Sequence, residues 1–174
     1  MTASIQTPWL GQTGVGGSPF EDVLSLTPHI LETYREFYGT LWDDHLVPAD
    51  ILELCRLRVA QLHVCESELA IRDHDSGVTE FQVEQLSRWQ ESGAFSDSQR
   101  AALDYAELIP WQHHDVTDAM AEAVKAHLGE GGYVAFCFAV CFFDANCRLR
   151  QVLELPPVAN APGEPPASRD GILY

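Results

Sequence analysis

Residues 53–72 read ELCRLRVAQLHVCESELAIR, and this stretch decides both the helical reading of the chain and where its chemistry is sought. Together with Ile51, the residues Leu54, Leu57, Arg58 and Gln61 recur at spacings of three and four, the period of an amphipathic helix. Pro48 is a favoured first-turn residue and Asp50 follows it, so a helix is predicted from about Pro48 to His63. Another is predicted from Cys65 to about His74, ending at Gly77. That start would put Cys65 at a helix N-terminus, where free N–H groups and the helix dipole favour thiolate over thiol. Glu68 and Arg72 are four apart, and Cys65 and Glu68 three apart. The spacing therefore predicts a thiol, a carboxylate and a guanidinium on one helix face.

Working outward, the pattern is helix after helix, with no convincing run of strand-like alternation. A first helix is expected over about residues 20–42, kinked or divided by Pro28. A fourth is expected from Thr79 to about Ser92-Gly93. A fifth opens on the capping box Ser96-Asp97-Ser98-Gln99 and runs to Pro110. A sixth follows Thr117 or Asp118 and stops at Gly129. The last, GGYVAFCFAVCFFDANCRLRQVLEL (residues 131–155), is apolar on nearly every side until Asp144, which predicts a central helix. The fold class read from this is all-α, one helical domain over 20–155 built of antiparallel hairpins. Residues 1–19 read as an extended N-terminal arm and residues 156–174 as a Pro/Gly-rich tail.

The composition bounds the function. A length of 174 residues suits one domain. The net charge of −16, from 26 acidic against 10 basic residues, argues against nucleic acid and anionic membranes as partners. The start MTASIQTPWL lacks the basic and apolar runs of a secretory signal, and Tyr133–Phe143 falls short of the about 18 apolar residues that span a bilayer. Five cysteines, an odd number, do not suggest a secreted disulfide framework. The expectation is a cytoplasmic protein with reduced thiols.

Other constellations read as structural. His113-His114-Asp115 and Asp73-His74-Asp75 lack the helical His spacing of metal sites, so no metal and no cofactor is expected. Cys55, Cys137, Cys141 and Cys147 read as space-filling residues. Trp42, Trp89, Trp111, Phe142 and Phe143 read as core or interface. Neither a glycine-rich phosphate loop nor a G-x-S-x-G elbow is present.

The run E-L-x-R-L-R-V-A-Q-L before Cys65, the Gly77-Val78-Thr79 turn, S-x-x-Q-R-A-A-L-x-Y-A-E at 96–107 and Asn146-x-Arg148 together resemble the carboxymuconolactone decarboxylase and alkylhydroperoxidase D-like superfamily. In its peroxidase branch, the resemblance implies a proton-relay glutamate at Glu53, twelve residues before a first redox cysteine at Cys65. The motif then departs from Cys-x-His-Cys followed by His. Ser67 stands for the first His, Glu68 for the second Cys and Arg72 for the last His. In the decarboxylase branch the stretch reads Glu-Leu-x-x-His; Glu68-Leu69 match it and Arg72 again replaces the His.

Carboxylate oxygen cannot form the disulfide that a resolving thiol forms, and arginine is no base near neutral pH. The leading expectation is therefore cofactor-free proton transfer on a small organic acid or carbonyl compound, of lyase or isomerase type. Glu53, Cys65 and Glu68 are its catalytic candidates, and Arg72 and Ser67 its substrate-binding candidates. The alternatives are a peroxidase acting through Cys65 alone, and a helical oligomer binding a small molecule without turnover. The family likeness implies a homo-oligomer: dimer, trimer or hexamer.

Overall fold

The structure is a computed structural model that describes Leu10 and residues 18–43 and 45–157; most of the expected arm and tail lies outside the described residues. It consists of α1 (Pro19–Leu24), α2 (Pro28–Asp43), α3 (Ala49–His63), α4 (Glu66–Leu69), α5 (Glu80–Gln85), α6 (Asp97–Gln112) and α7 (Asp118–Val152). Single 3-10 turns lie at His74–Ser76, Leu86–Arg88 and His113–Asp115, and there is no strand among the described residues. The fold is all-α.

The helix boundaries have local causes. Pro28 divides the first predicted helix into α1 and α2. Thr79 and Ser96 each close a reciprocal capping box, with Gln82 and Gln99 as the partners, and Thr117 caps α7 through the Met120 N–H. Gly129, with φ 72° and ψ 174°, breaks the helical path inside α7 where the sequence predicted a stop. The fourth predicted helix is shorter than expected: α5 ends at Gln85 and only a 3-10 turn follows. By contrast α6 runs through Pro110 to Gln112, and the Pro110 carbonyl accepts from Arg148 Nη2 at 2.9 Å.

The core forms where α3, α6 and α7 pack on one another. Leu52, Leu54 and Val59 of α3, Leu103 and Ala106 of α6, and Phe136, Val140 and Phe143 of α7 are buried in it. Gly132 lets α7 approach the loop before α3, because a Cβ there would lie 2.7 Å from the Leu46 carbonyl oxygen.

The sequence singled out the last helix as the central one, but α3 holds that place. Seven consecutive α3 residues, Ile51 to Leu57, are buried, the charged Glu53 and Arg56 among them. Polar side chains hide this in the sequence, since a helix can be enclosed on all sides only if its charges are paired inside. The apolar α7 instead leaves Val134, Phe138 and Cys141 exposed along one stripe, with Phe138 edge-on to Phe37 of α2. By length and composition α7 is also apolar enough to cross a membrane, unlike the shorter run considered from sequence. Core helices of soluble bundles share that profile, and α7 packs on α3 and α6.

Candidate functional site

Cys65 is positioned by a tight reversal. At the end of α3, Val64 takes a left-handed conformation (φ 52°, ψ 41°), the Val64 N–H bonds the Gln61 carbonyl at 3.1 Å and the Cys65 N–H bonds the Ala60 carbonyl at 2.9 Å. These two bonds make a Schellman-type ending, in which the left-handed position normally favours glycine. A β-branched residue held there stores backbone strain. Cys65 then caps α4, its carbonyl accepting from the Glu68 and Leu69 N–H groups. The predicted helix start at Cys65 is thus observed, but α4 lasts one turn.

The early end of α4 has a cause in α3. Arg56 turns its guanidinium onto the carbonyls of Glu68 (Nη1, 2.9 Å) and Ile71 (Nη2, 2.7 Å), acceptors that a continuing helix would need. Its other bonds go to carboxylates: Nε to Glu53 Oε2 at 2.9 Å, Nη2 to Glu53 Oε1 at 2.9 Å and Nη1 to Glu68 Oε2 at 2.8 Å. Glu68 Oε1 takes a 2.6 Å bond from Arg150 Nε of α7. Glu53 Oε1 also accepts the Asp73 N–H at 3.1 Å. Glu53, Arg56, Glu68 and Arg150 are each at most 1% exposed, so the result is a buried network of alternating charge.

Consequently every carboxylate oxygen of Glu53 and Glu68 is engaged by an arginine. Burial alone would raise the Glu68 carboxyl, but Arg150 and Arg56 outweigh it and hold the group below the ordinary carboxylate value, so it is ionised. Arg150 lies with its guanidinium carbon 4.5 Å from the centre of the Phe20 ring, and its Nη1 and Nη2 have no hydrogen-bond partner among the described residues.

The predicted face shared by Glu68 and Arg72 is not formed. Arg72 lies beyond the end of α4, with Nε 3.5 Å from Glu53 Oε1 and Nη2 3.3 Å from Glu80 Oε1. Arg56 and Arg150 take the place expected for it beside Glu68. Ser67 is buried next to the sulfur of Cys65, with Oγ 3.4 Å from Sγ.

Cys65 itself is 1% exposed, whereas the adjoining Val64 is 74% exposed. The side chain of Cys147 is the main influence on the Cys65 thiol, which is lowered to about 6. Burial opposes it; the Ser67 hydroxyl and the Glu68 N–H assist, and the Glu68 carboxylate opposes. Cys147 is raised in turn, first by Cys65 and then by burial, so it keeps its proton and donates to the Cys65 thiolate. A second contact, Cys65 Sγ to the Cys147 carbonyl oxygen at 3.9 Å, is at the long limit for a thiol donor and competes weakly with ionisation.

Four contributors escaped the sequence reading. Arg56 stands three residues after Glu53, a legible helical ion-pair spacing. Arg150 and Cys147 reach the site from 82 residues away in sequence, through α7. Tyr34 sits beside them, its hydroxyl accepting from Asn146 Nδ2 at 3.0 Å and its phenol pushed up chiefly by burial and then by Glu68. Arg148, paired in sequence with Asn146, instead bridges Asp144 and Pro110, and Asp144 also holds His63 Nε2 at 2.6 Å.

A groove of about 480 Å³ lined by Ser25, Pro28, Leu31 and Arg35 lies on α1 and α2 and shares no residue with this cluster. Among the described residues, no group of three or more His, Cys, Asp or Glu is placed to hold a metal ion. No family model and no curated protein matches the chain.

Proposed function

We propose that this chain is a helical protein of the carboxymuconolactone decarboxylase and alkylhydroperoxidase D-like type whose reactive group is the Cys65 thiolate, used to reduce small peroxides in the cytoplasm. The observation that carries the reading is the set of donors around one sulfur: the Cys147 thiol, the Ser67 hydroxyl and the Glu68 N–H. Each stabilises thiolate over thiol, and thiolate is the nucleophile. Cys65 Sγ attacks the terminal peroxide oxygen, an S–O bond forms as the O–O bond breaks, and the departing alkoxide takes a proton from solvent. The sulfur is oxidised to sulfenic acid and the peroxide reduced to an alcohol.

Proton transfer by Glu53 and Glu68 on a small organic acid has less support. Both carboxylates are held by arginines in a buried network, and neither can accept a substrate proton without leaving an arginine unpaired. Their part in this reading is to hold α3, α4 and α7 so that Ser67 and Cys147 meet Cys65. Burial of Cys65 favours hydrogen peroxide and short alkyl hydroperoxides over bulky ones. Peroxide consumption by the reduced chain, with the Cys65 sulfenic acid trapped by a dione reagent and lost in Cys65→Ser, tests the reading. Unchanged consumption in Cys65→Ser refutes it.

The exposed stripe of Val134, Phe138 and Cys141 supports a homo-oligomer, because an apolar helix face is stable in water when a second copy covers it. Light scattering showing a monomer at micromolar concentration refutes that part without touching the chemistry.

A further inference from the structure

The geometry points to Cys147 as the resolving thiol for Cys65: the second cysteine of the redox pair is supplied by α7 instead of by the position that Glu68 occupies. This rests on the peroxidase reading above and adds to it the fate of the oxidised sulfur.

Three observations support it. The Cys65 Sγ lies 3.9 Å from the carbonyl oxygen of Cys147. A carbonyl oxygen is about 2.4 Å from its own Cα by standard bond lengths, so the Cys65 sulfur is within about 6.3 Å of the Cys147 Cα. A disulfide places a sulfur within about 4.5 Å of its partner's Cα, so closing the bond needs a shift of at most about 2 Å. Each of the two thiols is moreover the largest influence on the ionisation of the other, so the side chains lie within interaction range. Both cysteines are also 1% exposed, so a sulfenic acid formed at Cys65 meets the Cys147 thiol before it meets an external one.

The other described cysteines fit this role poorly. Cys55 is wholly buried, with its thiol pushed up by burial and then by Asp50, and neither it nor Cys141 is among the groups that influence Cys65. Cys137 is engaged with the Tyr105 hydroxyl at 3.4 Å.

The step balances as follows. Sγ of Cys147 attacks the sulfur of the Cys65 sulfenic acid, the S–S bond forms and the S–O bond breaks. The expelled hydroxide leaves as water with the proton that Cys147 gives up. One peroxide is reduced to alcohol and water while two thiols become one disulfide, and an external dithiol restores the pair. The Glu68 carboxylate, which opposes ionisation of both thiols, disfavours a second thiolate in this pocket. Cys147 therefore loses its proton only after Cys65 has been oxidised and its negative charge removed.

The test uses the reduced full-length chain and hydrogen peroxide as the probe. After one equivalent, non-reducing peptide mapping by mass spectrometry is expected to show the Cys65 peptide joined to the Cys147 peptide, reversed by a dithiol reductant. In Cys147→Ser, whose hydroxyl still donates to the thiolate, the joined peptide is lost and the trapped Cys65 sulfenic acid persists. Excess peroxide then carries it on to sulfinic acid. A Cys65 sulfenic acid without a Cys65–Cys147 link in the unsubstituted chain overturns this inference and leaves the peroxidase reading standing, as does a link from Cys65 to Cys141 of a second copy. No oxidation at Cys65 at all sinks both. The mapping is made on the unsubstituted protein, so it holds even if Cys147→Ser does not fold.

Discussion

Replacing Arg56 by methionine tests whether the buried charges form one coupled unit. Arg56 is 1% exposed and fills all its donor positions, three bonds to carboxylate oxygens and two to carbonyls. Hydrogen bonds to charged groups are worth about 1.5–3 kcal/mol each, so a simple sum over the three carboxylate bonds runs to about 4.5–9 kcal/mol. That sum is too large, because Glu53 keeps the Asp73 N–H and Arg72, Glu68 keeps Arg150, and partners relax. Breaking one partner of a buried pair costs about 3–5 kcal/mol, and that is the loss expected here.

In urea, with a slope of about 2 kcal/mol per molar, the unfolding midpoint should fall by about 2 M. A double variant, Arg56→Met with Glu53→Met, removes an unpaired charge together with its partner, and is expected to recover part of the loss. A loss under about 1 kcal/mol for the single variant refutes the picture of a dry network. So does a double variant whose cost equals the sum of the two singles, since coupled groups do not add.

Four further outcomes follow from the same geometry. Because Arg150 and Arg56 depress the Glu68 carboxyl, it contributes stability above its ordinary value of 4.5, and that contribution is lost as pH falls through the lower folded value. The stability advantage of the native chain over Glu68→Gln, read by chemical unfolding at neutral and at acid pH, should narrow below 4.5; an unchanged gap contradicts the ion pairing. The rate at which a small thiosulfonate modifies Cys65 should rise with a midpoint near pH 6, and a midpoint near 9, the ordinary thiol value, would remove the basis for its activation. Its folded thiol is depressed, so the linked stability is complete above pH 9 and fades as pH falls through about 6; Cys65→Ala should lose that slope. Val64→Gly should stabilise the fold by about 0.5–1 kcal/mol, since it relieves about 1–2 kcal/mol of left-handed strain against the entropy cost of glycine. Val64 is largely exposed and loses little packing; destabilisation in a denaturant melt would show that the turn is not strained.

The helices were legible where local chemistry marks them. Pro28, Thr79, Ser96, Thr117 and Gly129 each did in space what their type predicts. Hidden from sequence was the effect of Arg56 on the segment after Leu69, because a side chain from a preceding helix took the carbonyls that a longer α4 needed. For that reason the face expected to join Glu68 and Arg72 does not form, and Cys65 has the Ser67 hydroxyl beside it instead. The centrality of α3 was masked by Glu53 and Arg56, which look like surface residues until their partners are known. Arg150 and Cys147 lay beyond any local signal, since only the tertiary path of α7 brings them back to α4.

The pairing of Glu68 with Arg150 also orders the assembly of the molecule in time. While the chain is made from its N-terminus, α3 and α4 emerge well before α7, with Glu53 and Arg56 already able to pair. Glu68 then waits 82 residues for its second cation, and Phe20 waits longer still for the guanidinium that covers it. Until α7 arrives, enclosing α3 would bury a carboxylate with half its partners missing, a cost that keeps the early helices open to water. The last helix is thus the closing element of the fold, and any chain ending before Arg150 should remain an open set of helices with no Cys147 beside Cys65.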